Sequence, residues 1–223
     1  MINRAAKIYF PTSLFAEMFV VMGKQIFPGV QTYRFVGDKI RQTLLFQMNN
    51  LPTPITRFYY GPRQKKNITL DFSFPFIAKT PRYSSRGLGV RLVENKSQLD
   101  DYLEESQPAY IQQYLPDCKD YRVVIAGDQI IHAYERIARK GEFRANVSQG
   151  ADLSFKDIPS DVCTLAMKAS RICGFNYTGL DICQSNGMYY LLEANMKFGT
   201  MGFKKAGLDL KKILDNLVKS SRI

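Results

Sequence analysis

Apolar residues crowd positions 13–24 (Leu14, Phe15, Met18, Phe19, Val20, Val21, Met22), as in a largely buried helix that ends at Gly23. Phe27-Pro28-Gly29 follows as a turn. Over 38–49, Ile40, Leu44, Leu45 and Met48 predict a second helix with one apolar face, stopped by Pro52 and Pro54. Positions 55–60 read as extended and 62–67 as a basic polar connection. Extended segments at 74–80 and 88–93 flank the loop Pro81-Arg82-Tyr83-Ser84-Ser85-Arg86-Gly87. Ser97 with Asp100 predicts a capping box that opens a helix running to Glu105. Positions 109–115 are extended, and strands at 121–126 and 129–138 meet at Gly127-Asp128. A helix over 159–173 carries the stripe Val162, Leu165, Ala166, Ala169 and Ile172. Strands at 177–184 and 188–195 flank Ser185-Asn186-Gly187, and a helix over 208–218 ends the chain. Hairpins mixed with helices, without regular β-α-β alternation, predict an α+β fold of antiparallel sheets covered by helices.

At 223 residues and 45% hydrophobic content the chain can bury an ordinary core. No apolar run approaches the ~20 residues of a membrane span. Residues 1–10 carry Arg4 and Lys7 but no apolar core or cleavage site, so no signal peptide is expected and a cytoplasmic location is. Cys118, Cys163, Cys173 and Cys183 lack CxxC spacing, which argues against zinc and for free thiols. The net charge of +11 favours anionic partners such as nucleotides or acidic peptides. No helix-turn-helix, zinc-finger or RNP signature accompanies it, so nucleic acid is the weaker partner. His132 is the only histidine and sits in a strand pattern, which speaks against histidine-based nucleophilic catalysis.

The chemistry concentrates in the last hairpin. Glu193 and Asn195 are two apart and face the same way on a strand. A two-residue Asn186-Gly187 loop pairs Asp181 with Leu192 and sends Glu193 to the opposite face. A three-residue loop closed by Gly187 at positive φ pairs Asp181 with Leu191 and gathers Asp181, Glu193 and Asn195 on one face. The three-residue loop is therefore expected, because the gathered oxygens suit a hard cation such as Mg²⁺. Lys79 ends an apolar strand immediately before the small-residue loop with Ser84, Ser85, Arg86 and Gly87, whose backbone N–H groups can approach phosphate. Neither GxxxxGK[ST] nor GxGxxG is present.

Taken together, these residues resemble the ATP-grasp superfamily, and within it the RimK-like branch of amino-acid and peptide ligases, over about 35–202. Val36-Gly37-Asp38-Lys39 followed by Leu51-Pro52-Thr53-Pro54-Ile55-Thr56 is similar to the family's Asp-Lys helix and Pro-x-Pro-x-Thr strand. The resemblance implies that Lys39 and Lys79 contact ATP, that Ser84, Ser85 and Gly87 lie in the phosphate loop, and that the backbone of the hinge Tyr110-Ile111-Gln112-Gln113-Tyr114 reads adenine, with Gln113 and Tyr114 at the nucleotide. It further implies that Asp120 of Asp120-Tyr121-Arg122 is nucleotide-binding, that Arg144 and Asn146 of Phe143-Arg144-Ala145-Asn146 meet phosphates, and that Asp181, Glu193 and Asn195 hold magnesium. Arg144 and Lys79 are the implied catalytic residues. The implied cofactors are ATP and Mg²⁺, one or two ions, with Mn²⁺ able to substitute.

The family mechanism forms an acyl phosphate from a substrate carboxylate and couples it to an amine. The chain departs from the family pattern at Gln113, usually glutamate, at Met196-Lys197-Phe198-Gly199, usually a small-residue Pro-Gly loop, and at Ser148-Gln149-Gly150. The basic balance and Lys197 point to an acidic small-molecule or peptide acceptor. The expected organisation is a pre-ATP-grasp remnant over 1–35 and an ATP-grasp unit over 36–223, with lobes of about 36–113 and 114–223. A separate N-terminal domain partner or a homo-oligomer is compatible with this layout. The alternatives are an ATP-binding module without ligase activity, acting as regulator or assembly partner, and a polyanion-binding protein.

Overall fold

The computed structural model describes residues 4–82, 89–138 and 152–223. The chain opens with β1 (Lys7–Tyr9), α1 (Ser13–Val21) and β2 (Gln25–Phe27), and the two strands pair in parallel. Next come α2 (Val30–Arg34), α3 (Lys39–Met48), β3 (Thr56–Tyr59), α4 (Gly61–Lys65), α5 (Ile68–Asp71), β4 (Phe76–Lys79), β5 (Val90–Val93), α6 (Lys96–Glu105) and β6 (Ala109–Gln113). The last four of these strands form an antiparallel sheet ordered β3-β6-β4-β5. A second antiparallel sheet, ordered β11-β10-β7-β8-β9, is built from β7 (Lys119–Ala126), β8 (Gln129–Ile137), β9 (Asp152–Ser154), β10 (Tyr177–Ser185) and β11 (Met188–Asn195). Helix α7 (Ser160–Cys173) covers this sheet, and α8 (Met201–Lys205) and α9 (Leu210–Lys219) end the chain. The architecture is α+β, as expected.

The two-residue period of a strand sorts the second sheet into an apolar and a polar face. Tyr121, Val123, Ile125, Leu180 and Ile182 share one core with Val162, Leu165, Ala166 and Ala169 of α7. Each fully buried aliphatic side chain there contributes ~1.5–3 kcal/mol. The alternate residues Asp120, Arg122, Asp181 and Cys183 therefore face the other way. The first sheet has its own core, including Tyr59, Phe76, Val93, Leu99, Tyr102 and Ile111.

Several elements differ from the sequence expectation. Helix α3 packs on the second sheet, because Phe46 and the following Leu51 join that core, although the expected lobes group it with the first. Its buried face is Lys39, Ile40, Gln42, Thr43 and Phe46, whereas Leu44 and Met48 are exposed. Polar side chains occupy the inner face because each finds a partner there. Helix α1 buries only Ala16 and leaves Leu14 74% and Val21 88% exposed, so it is not the buried helix its composition predicts. The basic connection at 62–67 is largely helix α4, with proline in its first turn, where a missing N–H costs nothing. Asn95, not Ser97, caps α6 by accepting from Gln98 N.

Candidate active site

The loop joining β10 and β11 has two residues, not three. Ser185 pairs with Met188, and Asn186 and Gly187 both have positive φ, 50° and 75°, as a type I′ turn requires. That turn alone would have turned Glu193 away. A β-bulge restores the register: Ile182 pairs with Leu191 but Asp181 pairs with Glu193, so Leu192 is the extra residue. Gly179 then pairs with Asn195. The three oxygen-bearing residues gather on one face as expected, by a different device.

Across the sheet, Asp181 lies opposite Arg122 of β7, and Asp120 lies opposite Arg136 of β8. Arg122 grips Asp181 through Nε and through Nη2 at 2.9 Å, and Arg136 Nη2 reaches Asp120 at 2.6 Å and Asp181 at 3.1 Å. Asn195 Nδ2 donates to Asp181 Oδ2 at 2.9 Å. Burial alone would raise the Asp181 carboxyl, but Arg122 and Arg136 outweigh it and hold its pKa below the usual carboxylate value. Asp120 is pushed up to about 6 by burial first and by the neighbouring Asp181 charge, against the pull of Arg136. Burial works against the Arg136 charge, but Asp120 and Asp181 more than compensate and raise its pKa. Sequence reasoning reaches Arg122 only as part of the Asp120-Tyr121-Arg122 motif, without a role of its own, and does not reach Arg136. Their signal was an arginine inside an otherwise apolar strand, legible only once the register sets it opposite a carboxylate.

Helix α3 brings the next groups. Asp38 caps it by accepting from Arg41 N at 3.0 Å and pairs with Arg82 at 3.2 Å. Lys39, the first helical residue, donates its backbone N–H to Pro81 O and places Nζ 3.5 Å from Glu193 Oε1. Gln42, one turn on, clasps β11: Nε2 donates to Ala194 O (2.9 Å) and Phe35 O (2.8 Å), and Oε1 accepts from Ala194 N (3.0 Å). Ala194 stands between Glu193 and Asn195, so this clasp fixes the strand that carries both. Gln42→Leu leaves three backbone groups unsatisfied in a buried place. It should destabilise the protein by about 2–4 kcal/mol, read by urea denaturation, and a loss under 1 kcal/mol would contradict the clasp.

Lys79 closes the site from the first sheet. It is buried at the end of β4, and burial lowers its pKa while Glu193 and Asp181 act to keep it charged. Its Nζ lies 5.5 Å from the Tyr110 ring centroid. Tyr102 OH accepts from Tyr110 N (2.8 Å) and donates to Lys79 O (2.7 Å), bracing β4 against β6. Thr43 and Tyr110 share a hydroxyl hydrogen bond of 2.8 Å that joins α3 to the same brace. Lys39, Lys79, Asp120, Asp181, Glu193 and Asn195 are thus brought together, with four cationic side chains facing three carboxylates. Gln113 and Tyr114 stand apart, where β6 leads into β7. Gln113 is exposed, with its backbone N–H on Ile55 O at 2.8 Å and Oε1 3.4 Å from Ile55 N. Ser84, Ser85, Gly87, Arg144 and Asn146 lie outside the described residues. His132 is structural, stacked among Phe203, Phe155 and Tyr134.

Among the described residues no group of three or more His, Cys, Asp or Glu side chains forms a self-sufficient metal cage. Two carboxylates and an amide beside two lysines instead suit a Mg²⁺ that shares its coordination with phosphate oxygens. The excess of cationic side chains at the site favours a polyphosphate, and no described helix is long and apolar enough to cross a membrane.

Residues 36–217 match the RimK-like ATP-grasp domain family. A probable alpha-L-glutamate ligase 2 of Shewanella frigidimarina is 27% identical over 208 residues, covering 90% of this chain and 70% of that protein. The ribosomal protein bS6–L-glutamate ligase of Shigella boydii is 27% identical over 181 residues, covering 78% and 60% respectively. In the second comparison, then, the chain spans less than two thirds of its relative's length. The ATP-grasp ligase PsnB complexed with minimal precursor superposes with a TM-score of 0.70 at 22% identity, covering 95% of this chain and 69% of that one. D-alanine–D-alanine ligase of Bacillus anthracis complexed with ATP gives 0.71 at 13% identity, covering 98% and 80%.

Proposed function

This chain belongs to the RimK-like ATP-grasp family, and from that premise we propose that it is an ATP- and Mg²⁺-dependent ligase joining a peptide or amino-acid carboxylate to an amine. The observation that carries the reading is the convergence of Asp181, Glu193 and Asn195 on one face of the second sheet, opposite Lys39 and Lys79. The glutamate ligases among its relatives support L-glutamate as the amine and a polypeptide as the acid. The ATP-grasp unit is taken as 36–223, preceded by the segment over 1–35.

ATP passes its γ-phosphoryl group to the substrate carboxylate, leaving ADP and an acyl phosphate. The amine nitrogen attacks the acyl carbon, the bond to the phosphate oxygen breaks, and the amine gives up a proton as phosphate leaves. Lys39 and Lys79 offset phosphate charge, and both are held in place by neighbouring backbone and side chains rather than by solvent. Asp181, Glu193 and Asn195 would hold Mg²⁺, which neutralises charge developing on the transferred group. Asn195 now turns an N–H toward Asp181; a cation there would be met by its amide oxygen instead. Arg122 and Arg136 hold Asp181 in its ionised form, the form a metal ligand requires. Ser84, Ser85, Gly87, Arg144 and Asn146 complete the phosphate site in this reading, and Gln113 and Tyr114 border adenine.

The deciding measurement is ADP release from MgATP with L-glutamate and acidic peptides, followed by mass spectrometry of the products. Release requiring both acid and amine, with a product heavier by one glutamyl residue, is the expected result. ATP binding without amine-dependent release would instead make the chain a nucleotide-binding module.

A further inference from the structure

A groove of about 680 Å³ on the same molecule has no part in the ATP site; Phe10, Tyr177, Phe203, Leu208, Leu210 and Leu214 form its apolar wall. Its relation to the site follows from one strand. Tyr177 and Asp181 are four residues apart on β10, so they share a face and stand about 13 Å apart. Gly179 lies between them, and a Cβ there would meet Arg122 Cδ at 2.9 Å and Phe198 Cβ at 3.0 Å. Phe198 also packs on Tyr177, with ring centroids 5.0 Å apart. Phe198 is therefore a ridge, with the Arg122–Asp181 pair on one side and the groove on the other. Only glycine at 179 lets the ridge sit this low.

Charge identifies the occupant. From Met196 to Leu208 the chain carries Lys197, Lys204 and Lys205 and no carboxylate. All three lysines are exposed, and none has an ion pair among the described residues. The two acids of the groove are already engaged: Asp209 caps α9 by accepting from Lys212 N at 3.2 Å, and Asp215 pairs with Lys211 at 3.5 Å. An apolar trough lined by Lys204, within a segment whose only charges are lysines and one ridge away from the reacting centre, fits a polypeptide that is acidic and carries a large apolar side chain. Four extended residues span the distance between the two places.

We propose that the groove is a subsite for the acid substrate, seating an apolar side chain about four residues from the carboxylate that is activated. The inference rests on the ligase reading for the identity of the reacting centre. Its test uses the full chain with MgATP, L-glutamate and two acidic pentapeptides ending in glutamate, one beginning with Phe and the other with Ala. Leu208, at the exposed lip of the groove (39% exposed), is replaced in Leu208→Asp, and the rim cation in Lys204→Glu. The Phe peptide should have a KM about tenfold below that of the Ala peptide, the effect of burying one aromatic side chain. Leu208→Asp should reduce that advantage to less than about twofold, with kcat and the KM for ATP unchanged. Lys204→Glu should raise both peptide KM values together.

Fluorescence anisotropy of a labelled Phe peptide separates the two claims. Leu208-dependent binding without ADP release keeps the groove and overturns the ligase reading. ADP release that is indifferent to Phe and to Leu208 overturns the groove. Neither binding nor release overturns both.

Discussion

Glu193→Ala should leave a folded protein whose turnover falls by about 10²–10³-fold, the scale of losing one electrostatic partner of a transferring group. The fold should survive because Glu193 contributes little packing: its side chain is a quarter exposed, and its ion pair with Lys39 is long at 3.5 Å. The loss should appear in kcat, with a raised Mg²⁺ requirement, while the melting temperature stays within ~2 °C of wild type. Lys39 then keeps its place at the head of α3 through the backbone bond to Pro81, so the defect reports the missing carboxylate rather than a displaced lysine. A folded Glu193→Ala protein with normal turnover would end the metal assignment.

Arg136→Met should have the opposite profile, a large cost in stability. Arg136 is buried and serves two carboxylates at once, Asp120 at 2.6 Å and Asp181 at 3.1 Å. Removing it leaves the largely buried Asp120 (side chain 14% exposed) without its ion-pair partner, which costs about 3–5 kcal/mol. For a chain of this size that lowers the melting temperature by roughly 10 °C. The Asp120 pKa, already about 6 because of burial and the Asp181 charge, should rise further. Its sign is that of a raised carboxyl: its stabilising contribution is complete below the unfolded value near 4 and is lost as pH rises through the folded value. The variant should therefore recover part of its deficit in acid, and Asp120→Asn in the Arg136→Met background should recover part of it at neutral pH. Urea denaturation at two pH values measures both effects, and a loss below 1 kcal/mol at neutral pH would refute the role.

Where a local rule decided the outcome, the sequence was readable. The alternation in 119–126 and 177–185 assigns Asp120, Arg122 and Asp181 to the face opposite Val123 and Leu180, and the strands follow it. The turn was legible too: Asn186-Gly187 is the residue pair that favours a two-residue type I′ loop. Without a bulge only a three-residue loop gathers the oxygens, and the bulge that makes it unnecessary leaves no mark in the sequence, since Leu192 is an ordinary apolar strand residue. Helix α3 misled for another reason. Its inner face is set by hydrogen-bond partners 67 and 152 residues away, Tyr110 for Thr43 and Ala194 for Gln42, and a hydrophobic stripe cannot report those. Helix α1 shows the same limit reversed: apolar spacing marks a face able to be covered, not one that is covered.

The extra residue at Leu192 separates two things a hairpin ordinarily ties together. In a plain hairpin the turn sets the phase of the whole ladder, so a one-residue change at an exposed tip inverts every side chain beyond it. Here the phase is reset one residue before Glu193, past the middle of the strand. The instruction that aims Glu193 and Asn195 is thus stored beside them and not at the tip. A turn of two residues with the bulge, or of three without it, delivers the same side chains to the same face. The two solutions use the same number of residues between Asp181 and Glu193, so related chains can exchange one for the other without an insertion or a deletion.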